Sequence, residues 1–200
     1  MIRILIAEDQ SMLRGALATL LALEDDIEVI GEAHDGNEAL RLTRESKPDV
    51  LVTDIEMPGL SGIDVAEALR RERARTRVLI VTTFARPGYL QRAMNAGVVG
   101  YLLKDASSDV LASAVRKVAA GKRHVPPELA ELAWAAPDPL TDRERDVLRL
   151  AESGMTNKQI AEALSLSPGT IRNYITEAMN KLHAGNRIEA FRMARDLGWL

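Results

Sequence analysis

Three acids, two adjacent hydroxyls and an ammonium each follow directly on a short apolar run within the first 104 residues of the chain. They are Glu8 and Asp9, Asp54, Thr82 and Thr83, and Lys104. Taken singly, each would fit an ordinary solvated loop. Their repetition at the ends of four different apolar runs instead favours one common site.

The apolar runs predict the sheet that must position these residues. They are IRILIA (2–7), IEVIGE (27–32), DVLVTD (49–54), RVLIVTT (77–83) and VVGYLL (98–103), and segments of helical period separate them. Runs this apolar indicate strands covered on both faces, as in a parallel sheet between helices. We therefore predict a doubly wound, flavodoxin-like α/β domain over residues 1–120, with five parallel strands in the order 2-1-3-4-5.

The predicted order makes the first and third strands neighbours, so Glu8, Asp9 and Asp54 should meet at one edge of the sheet. Carboxylates so close repel unless a cation neutralises them, and an all-oxygen cluster suits Mg²⁺. Lys104 and a threonine at the same edge would add the positive charge and the hydrogen bond that a phosphoryl group needs. The arrangement predicts phosphorylation of Asp54, with its carboxylate as the nucleophile.

The last third of the chain shows no strand pattern. Residues 121–139 hold four prolines and a possible short helix, PELAELAWA, and are interpreted as a linker. Residues 140–200 predict a smaller all-α domain, whose first helix begins with a capping box of Thr141 and Glu144. A later helix, capped by Ser167, exposes short polar side chains and an arginine suited to the major groove of DNA. A helical hairpin with an ordinary solvent-exposed face is the alternative.

Composition limits the other possibilities. The chain has no cysteine, a net charge of −3 and no apolar run long enough to cross a bilayer, so we expect a cytoplasmic protein that is not itself a membrane protein. Residues 137–200 carry nine basic and nine acidic side chains, so DNA affinity must come from local placement or from pairing subunits. His34, His124 and His183 have no paired ligands nearby and are expected at the surface.

Residues 1–120 resemble the receiver domain of bacterial response regulators through EDQ (8–10), DIEMPGLSG (54–62), VTT (81–83) and GYLLKD (100–105). The resemblance implies that Asp54 is the phospho-acceptor and that Lys104 contacts the phosphoryl group. It also implies that Thr82 and Tyr101 are the switch residues. Mg²⁺ would be held by a set of four residues, namely Glu8, Asp9, Asp54 and the main-chain carbonyl of Glu56.

Residues 140–198 resemble the helix-turn-helix domain of the NarL/FixJ (LuxR-type) family through LTDRERDVLRLAESGMTNKQIAEALSLSPGTIRNYI. The resemblance implies that residues 167–182 form the recognition helix and that double-stranded promoter DNA is a partner. Lys158 and Thr170 would contact phosphates. Arg172, Asn173 and Thr176 would face the bases.

The motifs AEDQ, LEDD and TTFARPGY are most similar to those of DesR-like regulators. That resemblance implies a membrane-bound sensor histidine kinase as partner and a homodimer formed on phosphorylation through the first and fifth helices. The wide apolar stripes of these helices supply the candidate contacts, which are Leu13, Leu17, Leu111, Val115 and Val118. The chain would be a regulator, not an enzyme, and would assist only its own phosphorylation and dephosphorylation.

Two rival interpretations remain. A haloacid-dehalogenase-type phosphatase also uses an aspartate nucleophile with Mg²⁺, but it needs D-x-D after its first strand, where this chain has D-I-E after its third. A LuxR regulator that senses a small molecule would need a lipid-like pocket, which the aromatic content of 4% and the acid cluster argue against.

Overall fold

The computed structural model describes residues 1–83, 86–135 and 138–200. The other four residues fall in the TTFARPGY motif and in the predicted linker, so those parts of both predictions lie outside the described residues. The chain divides into two compact units, Met1–Ala85 with Leu90–Glu131, and Arg86–Tyr89 with Leu132–Leu200. Among the described residues, no helix combines the length and apolar character needed to span a bilayer.

The first unit is built on a five-stranded parallel sheet. Its strands are β1 (Ile2–Ala7), β2 (Ile27–Ala33), β3 (Val50–Thr53), β4 (Arg77–Thr82) and β5 (Gly100–Leu103). Their spatial order is β2-β1-β3-β4-β5, and the four pairings are all parallel. This order confirms the predicted doubly wound sheet.

Helices follow the strands in regular alternation. They are α1 (Ser11–Ala22), α2 (Gly36–Ser46), α3 (Gly62–Arg71), α4 (Pro87–Asn95) and α5 (Ser108–Ala119). A sixth helix, α6 (Pro127–Ala135), coincides with the PELAELAWA segment. Side-chain caps at Asp35, Ser61 and Ser107 start three of these helices, because each accepts a hydrogen bond from a main-chain N–H of the first turn.

The core of the first unit corrects part of the predicted dimer surface. Leu111, Val115 and Val118 are at most 4% exposed and pack with the sheet residues, so they are not available to a second copy. Leu13 and Leu17 are half-buried. A wide apolar stripe on a helix does not reveal from sequence which part of it faces inward. The large apolar side chains that are exposed on α1, at its C-terminal end and on α5 are Met12, Leu20, Leu23 and Val110.

The segment after α5 returns to the sheet. The main-chain N–H of Tyr101 donates to the carbonyl of His124 at 2.8 Å, and the N–H of His124 donates to Val99 at 3.1 Å. His124 is therefore half-buried, and the expectation of a surface position is wrong for this histidine. His34 and His183 are exposed, as predicted.

The second unit contains four further helices, α7 (Asp142–Glu152), α8 (Asn157–Leu164), α9 (Pro168–Lys181) and α10 (Arg187–Asp196). The predicted capping box is present, since the Thr141 N–H donates to Glu144 Oε2 at 2.7 Å and the Glu144 N–H donates back to the threonine hydroxyl. One cluster of its core joins Leu148, Ala178 and Trp199, and a second surrounds Ile160 and Ile171.

Candidate functional site

Three carboxylates meet where β1 and β3 end. The register pairs Ala7 with Thr53, so the residues that follow each strand are neighbours, and the N–H of Asp54 donates to the Ala7 carbonyl at 3.0 Å. Oxygens of Glu8, Asp9 and Asp54 lie within 4.8 Å of one another. Glu8 and Asp54 are 1% and 5% exposed, whereas Asp9 faces solvent. The predicted convergence of the three acids is therefore present.

Lys104 joins the two buried acids. Its Nζ lies 2.7 Å from Asp54 Oδ2 and 2.8 Å from Glu8 Oε2. The lysine follows β5, and its own N–H donates to the Thr82 carbonyl at 2.9 Å, which positions the side chain over the ends of the intervening strands. Among the described residues, this is the only cation within ion-pair distance of Asp54.

The electrostatics of the pair follow from burial. Burial raises the pKa of Glu8, and the hydrogen bond and charge of Lys104 offset that effect only in part. Burial alone would lower the pKa of Lys104, but its hydrogen bonds to Asp54 and Glu8 outweigh that effect and raise the pKa. The ammonium of Lys104 is thus held in its charged form beside the Asp54 carboxylate.

The predicted switch residues lie in the two strands beside this cluster. Thr82 ends β4 and is fully buried, and Tyr101 in β5 is fully buried as well. The neighbouring Thr83 is exposed, so the two hydroxyls face different surroundings. Tyr101 is therefore turned inward, and its role as a switch residue stays a prediction.

The loop that follows β3 is held by close main-chain packing. Asp54 Oδ1 accepts from the Ile55 N–H at 2.6 Å, and the Gly62 N–H donates to the Ile55 carbonyl at 3.0 Å. A Cβ at Gly62 would lie less than 3.0 Å from the Asp54 carbonyl oxygen, and a Cβ at Gly36 would meet the Leu60 carbonyl as closely. These glycines let the backbone approach closely enough to aim the Asp54 carboxylate.

One residue beside the cluster was missed from the sequence. Arg14 of α1 donates from Nη1 to the Glu8 carbonyl at 2.7 Å, and its Nε lies 3.4 Å from Glu32. It therefore ties α1 to the end of β1. The available signal was an arginine in the first turn of the helix that follows the acid pair, but nothing in its spacing identifies the carbonyl that it contacts.

The acid cluster fits a small hard cation. Its donors are all carboxylate oxygens, two of them buried and one exposed to solvent, so a metal held there would keep water ligands, as Mg²⁺ does. The fourth predicted donor, the Glu56 carbonyl, stays a prediction. The Glu56 side chain itself is exposed.

The second unit presents a polar helix face. Arg172, Asn173 and Thr176 are exposed on α9, while Ile171 and Ile175 on its other side are buried. Ser167 caps the helix by accepting from the Thr170 N–H at 3.0 Å, and Lys158 on α8 is exposed. Thr170 is half-buried, with its hydroxyl 2.8 Å from that of Ser167. The exposed face of α9 therefore carries the three side chains that were predicted to face the bases.

Comparison with known proteins gives two domain matches and two relatives that align with the whole chain. Residues 4–116 match the response regulator receiver domain, and residues 138–194 match the luxR family of bacterial regulatory proteins. The chain is 51% identical to the transcriptional regulatory protein DesR of Bacillus subtilis (strain 168) over 100% of this chain and 99% of that protein. It is 52% identical to the uncharacterized transcriptional regulatory protein YvfU of the same organism, over 100% of both chains.

Solved structures that resemble this chain are also response regulators. The response regulator ChrA of a heme-sensing two-component system is 34% identical, with a TM-score of 0.59 and coverage of 100% of this chain and 98% of that one. The response regulator RcsB in complex with DNA is 25% identical, with a TM-score of 0.66 and coverage of 98% of both chains.

Proposed function

The chain belongs to the LuxR-type response regulators of two-component systems, with a receiver domain and a DNA-binding domain, and from this premise we propose that Asp54 is its phospho-acceptor. The observation that carries the proposal is the pairing of a 5% exposed Asp54 carboxylate with Lys104 at 2.7 Å, beside two further acids. We assign the receiver to about residues 1–120, the linker to 121–139 and the DNA-binding domain to 140–200.

The proposed reaction is a transfer from a phosphohistidine of the sensor kinase. A carboxylate oxygen of Asp54 attacks the phosphorus, the P–N bond breaks, and the electron pair and a proton remain on the imidazole. Lys104 lies close enough to Asp54 to pair with the arriving phosphoryl oxygens, and Thr82, at the end of the adjacent strand, supplies the hydroxyl. Bound Mg²⁺, held by Glu8, Asp9, Asp54 and the Glu56 carbonyl, would offset phosphoryl charge.

Phosphorylation would then act on the receiver surface. The apolar residues exposed on one side of α1 and its C-terminus, Met12, Leu20 and Leu23, recur at intervals of eight and three residues, and Val110 is exposed on α5. Such a stripe suits pairing with a second copy. We propose that these exposed residues, and not the buried residues of α5, form the contact surface of a phosphorylation-dependent homodimer. Arg14 would link the acid cluster to α1.

Dimerisation would in turn raise affinity for promoter DNA. Linking two modules through their receivers raises the effective concentration of the second one, which can add ~10²- to 10⁴-fold in avidity. We propose that Arg172, Asn173 and Thr176 read base edges, while Lys158 and Thr170 contact phosphates. The chain would act in the cytoplasm as a stoichiometric regulator, and a membrane-bound histidine kinase would supply the phosphoryl group.

Intact-mass measurement after treatment with acetyl phosphate and Mg²⁺ tests the phospho-acceptor. We expect one phosphoryl group on the wild type and on the control Asp49→Asn, and none on Asp54→Asn. Asp49 is a suitable control because it is exposed and flanks the other end of β3. A phosphoryl group on Asp54→Asn, or on a different residue of the wild type, would reject the assignment.

The same samples test whether phosphorylation promotes dimerisation and how the protein binds DNA. Sedimentation velocity should show a dimer only for phosphorylated wild type and Asp49→Asn, and Met12→Ser with Leu20→Ser should remain monomeric although phosphorylated. In binding assays on the gene's own upstream region, Asn173→Ala should lose about 10- to 100-fold in specific affinity, consistent with ~1–3 kcal/mol for a base contact. Lys158→Ala should weaken specific and nonspecific binding alike. Equal losses for both variants would refute base reading by Asn173.

A further inference from the structure

A basic groove lies at the amino ends of the strands of the receiver sheet, on the side opposite the acid cluster. Two adjoining cavities of about 890 and 350 Å³ share the stretch from Ala74 to Arg77, at the amino end of β4. The first also reaches the C-terminus of α2, and the second reaches the end of α4. Volumes of this order match those of small-molecule pockets.

Charge in the groove is strongly one-sided. Its lining has two acids, Asp49 and Glu72, against six cations, which are Arg44, Lys47, Arg70, Arg73, Arg75 and Arg77. Because the whole chain carries a net charge of −3, this excess is local. Such a concentration of guanidinium groups creates a positive potential suited to anions.

Both acids of the groove are already engaged. Glu72 accepts from Arg44 at 2.5 Å, and the Asp49 carboxylate accepts from the Arg3 main-chain N–H at 2.8 Å. Within the described part of the chain, Lys47, Arg73 and Arg75 have no ion-pair partner and are exposed. These three cations are therefore free to contact a ligand.

The floor of the groove is built from hydrogen-bonded main chain and one buried hydroxyl. The Thr76 hydroxyl donates to the Pro48 carbonyl at 2.7 Å, and the Arg77 N–H donates to the Asp49 carbonyl at 3.0 Å. Thr43, which lines the larger cavity, is only 2% exposed, and its hydroxyl has no hydrogen-bond partner among the described residues. Native proteins rarely leave a buried polar group unpaired, so this one points to a missing partner.

We propose that this groove binds a soluble small molecule that carries a phosphate or diphosphate group. Planar guanidinium groups pair with phosphate oxygens in bidentate geometry, and Lys47 adds a further charge. The apolar lining at Leu69 and Pro48 would contact the organic part of the ligand. The site is distinct from the Asp54 cluster, since it lies at the amino ends of the strands instead of their carboxyl ends.

Calorimetric titration of the full chain at constant ionic strength, without divalent cations, tests the proposal. The probes are pyrophosphate and adenosine monophosphate. We expect both to bind the wild type, and pyrophosphate to bind at least tenfold more weakly to the double variant Lys47→Gln, Arg75→Gln. Arg71→Gln is the matched control, because Arg71 belongs to the same arginine-rich stretch but pairs with Glu67 and does not line the groove. Undiminished binding to the double variant, or an equal loss in the control, would overturn the site.

Two further arms separate related explanations. Thr43→Val keeps the shape of the side chain and removes the hydroxyl, so it should weaken binding while leaving the thermal unfolding temperature close to that of the wild type. Affinity unchanged in this variant would overturn the role of the hydroxyl in the floor.

Flotation with vesicles containing phosphatidic acid distinguishes a lipid headgroup from a soluble ligand, and binding to vesicles alone would refute a soluble ligand.

Discussion

Replacing Lys104 with methionine is the perturbation that most directly tests the electrostatics of the acid cluster. Methionine keeps much of the side-chain volume but removes the ammonium that lies 2.7 Å from Asp54 and 2.8 Å from Glu8. The side chains of all three residues are at most 7% exposed, so solvent cannot replace the lost cation without rearrangement. We expect Lys104→Met to be less stable than the wild type. We also expect it to lack the cation that would pair with a phosphoryl group on Asp54.

The size of the loss can be worked out from these contacts. At an effective dielectric constant of about 20, each charge pair at this distance is attracted by roughly 6 kcal/mol, most of which is offset by desolvation of the charges. Breaking a buried pair from one side costs about 3–5 kcal/mol, because the remaining charge stays buried. We take ~3 kcal/mol, since rearrangement of the exposed Asp9 side of the cluster admits some water.

Hydrogen exchange of the amides in β1 and β3 measures this loss where it occurs. A destabilisation of ~3 kcal/mol corresponds to exchange that is roughly 100-fold faster in these strands. Lys122→Met is the control, because Lys122 is exposed and has no ion-pair partner among the described residues. Its exchange should stay close to that of the wild type.

Magnesium supplies a second readout. In Lys104→Met the oxygens of Glu8 and Asp54 are no longer shared with an ammonium, so added Mg²⁺ should slow exchange in the variant more than in the wild type. Exchange within threefold of the wild type in the absence of Mg²⁺ would refute the electrostatic argument. An equal response of both proteins to Mg²⁺ would refute the competition between lysine and metal.

Three further predictions address the loop, the helical domain and pH. Gly62→Ala should cost ~2–3 kcal/mol and slow the proposed phosphorylation, because its Cβ would displace the Asp54 carbonyl. Gly15→Ala, with open space around it, should not destabilise, and equal stabilities of the two variants in urea unfolding would contradict the prediction. Lys181→Met should cost ~2 kcal/mol in thermal unfolding of the second unit, because it leaves the 5% exposed Glu144 carboxylate without its cation. A loss of stability below ~0.5 kcal/mol would count against a buried ion pair. Burial lowers the pKa of His124, so the folded state binds fewer protons than the unfolded state and the first unit should lose stability as pH falls below about 6.5. In His124→Gln this slope of stability with pH should flatten, and an unchanged slope would exclude the histidine as its origin.

Much of the receiver fold could be predicted because its signals are local. Five apolar runs of strand length, separated by segments of helical period, specify a parallel sheet between helices, and the strand order then brings Glu8 beside Asp54. The boundaries of β1 were predicted to the residue, and those of the other strands to within two. The caps at Thr141 and Ser167 were equally readable, since a cap depends only on residues three apart.

Other features were not readable because they depend on which residues distant segments bring together. The apolar stripe of α5 was compatible with a surface or a core position, and only packing against the sheet buries Leu111, Val115 and Val118. His124 was predicted to lie at the surface, but it is half-buried because its segment pairs with β5.

The sequence alone therefore determined the two-domain class, the order of the strands and the residue types of the acid cluster, because periodicity and residue type act over a few neighbouring positions. Tertiary structure decided the contact of Arg14 with the Glu8 carbonyl and the meeting of Lys47 with Arg75 in one groove. The latter pair is separated by 28 residues, and it comes together only because β3 and β4 start side by side in parallel register. Neither contact is encoded in a local pattern, since each depends on the paths of two segments through the folded chain.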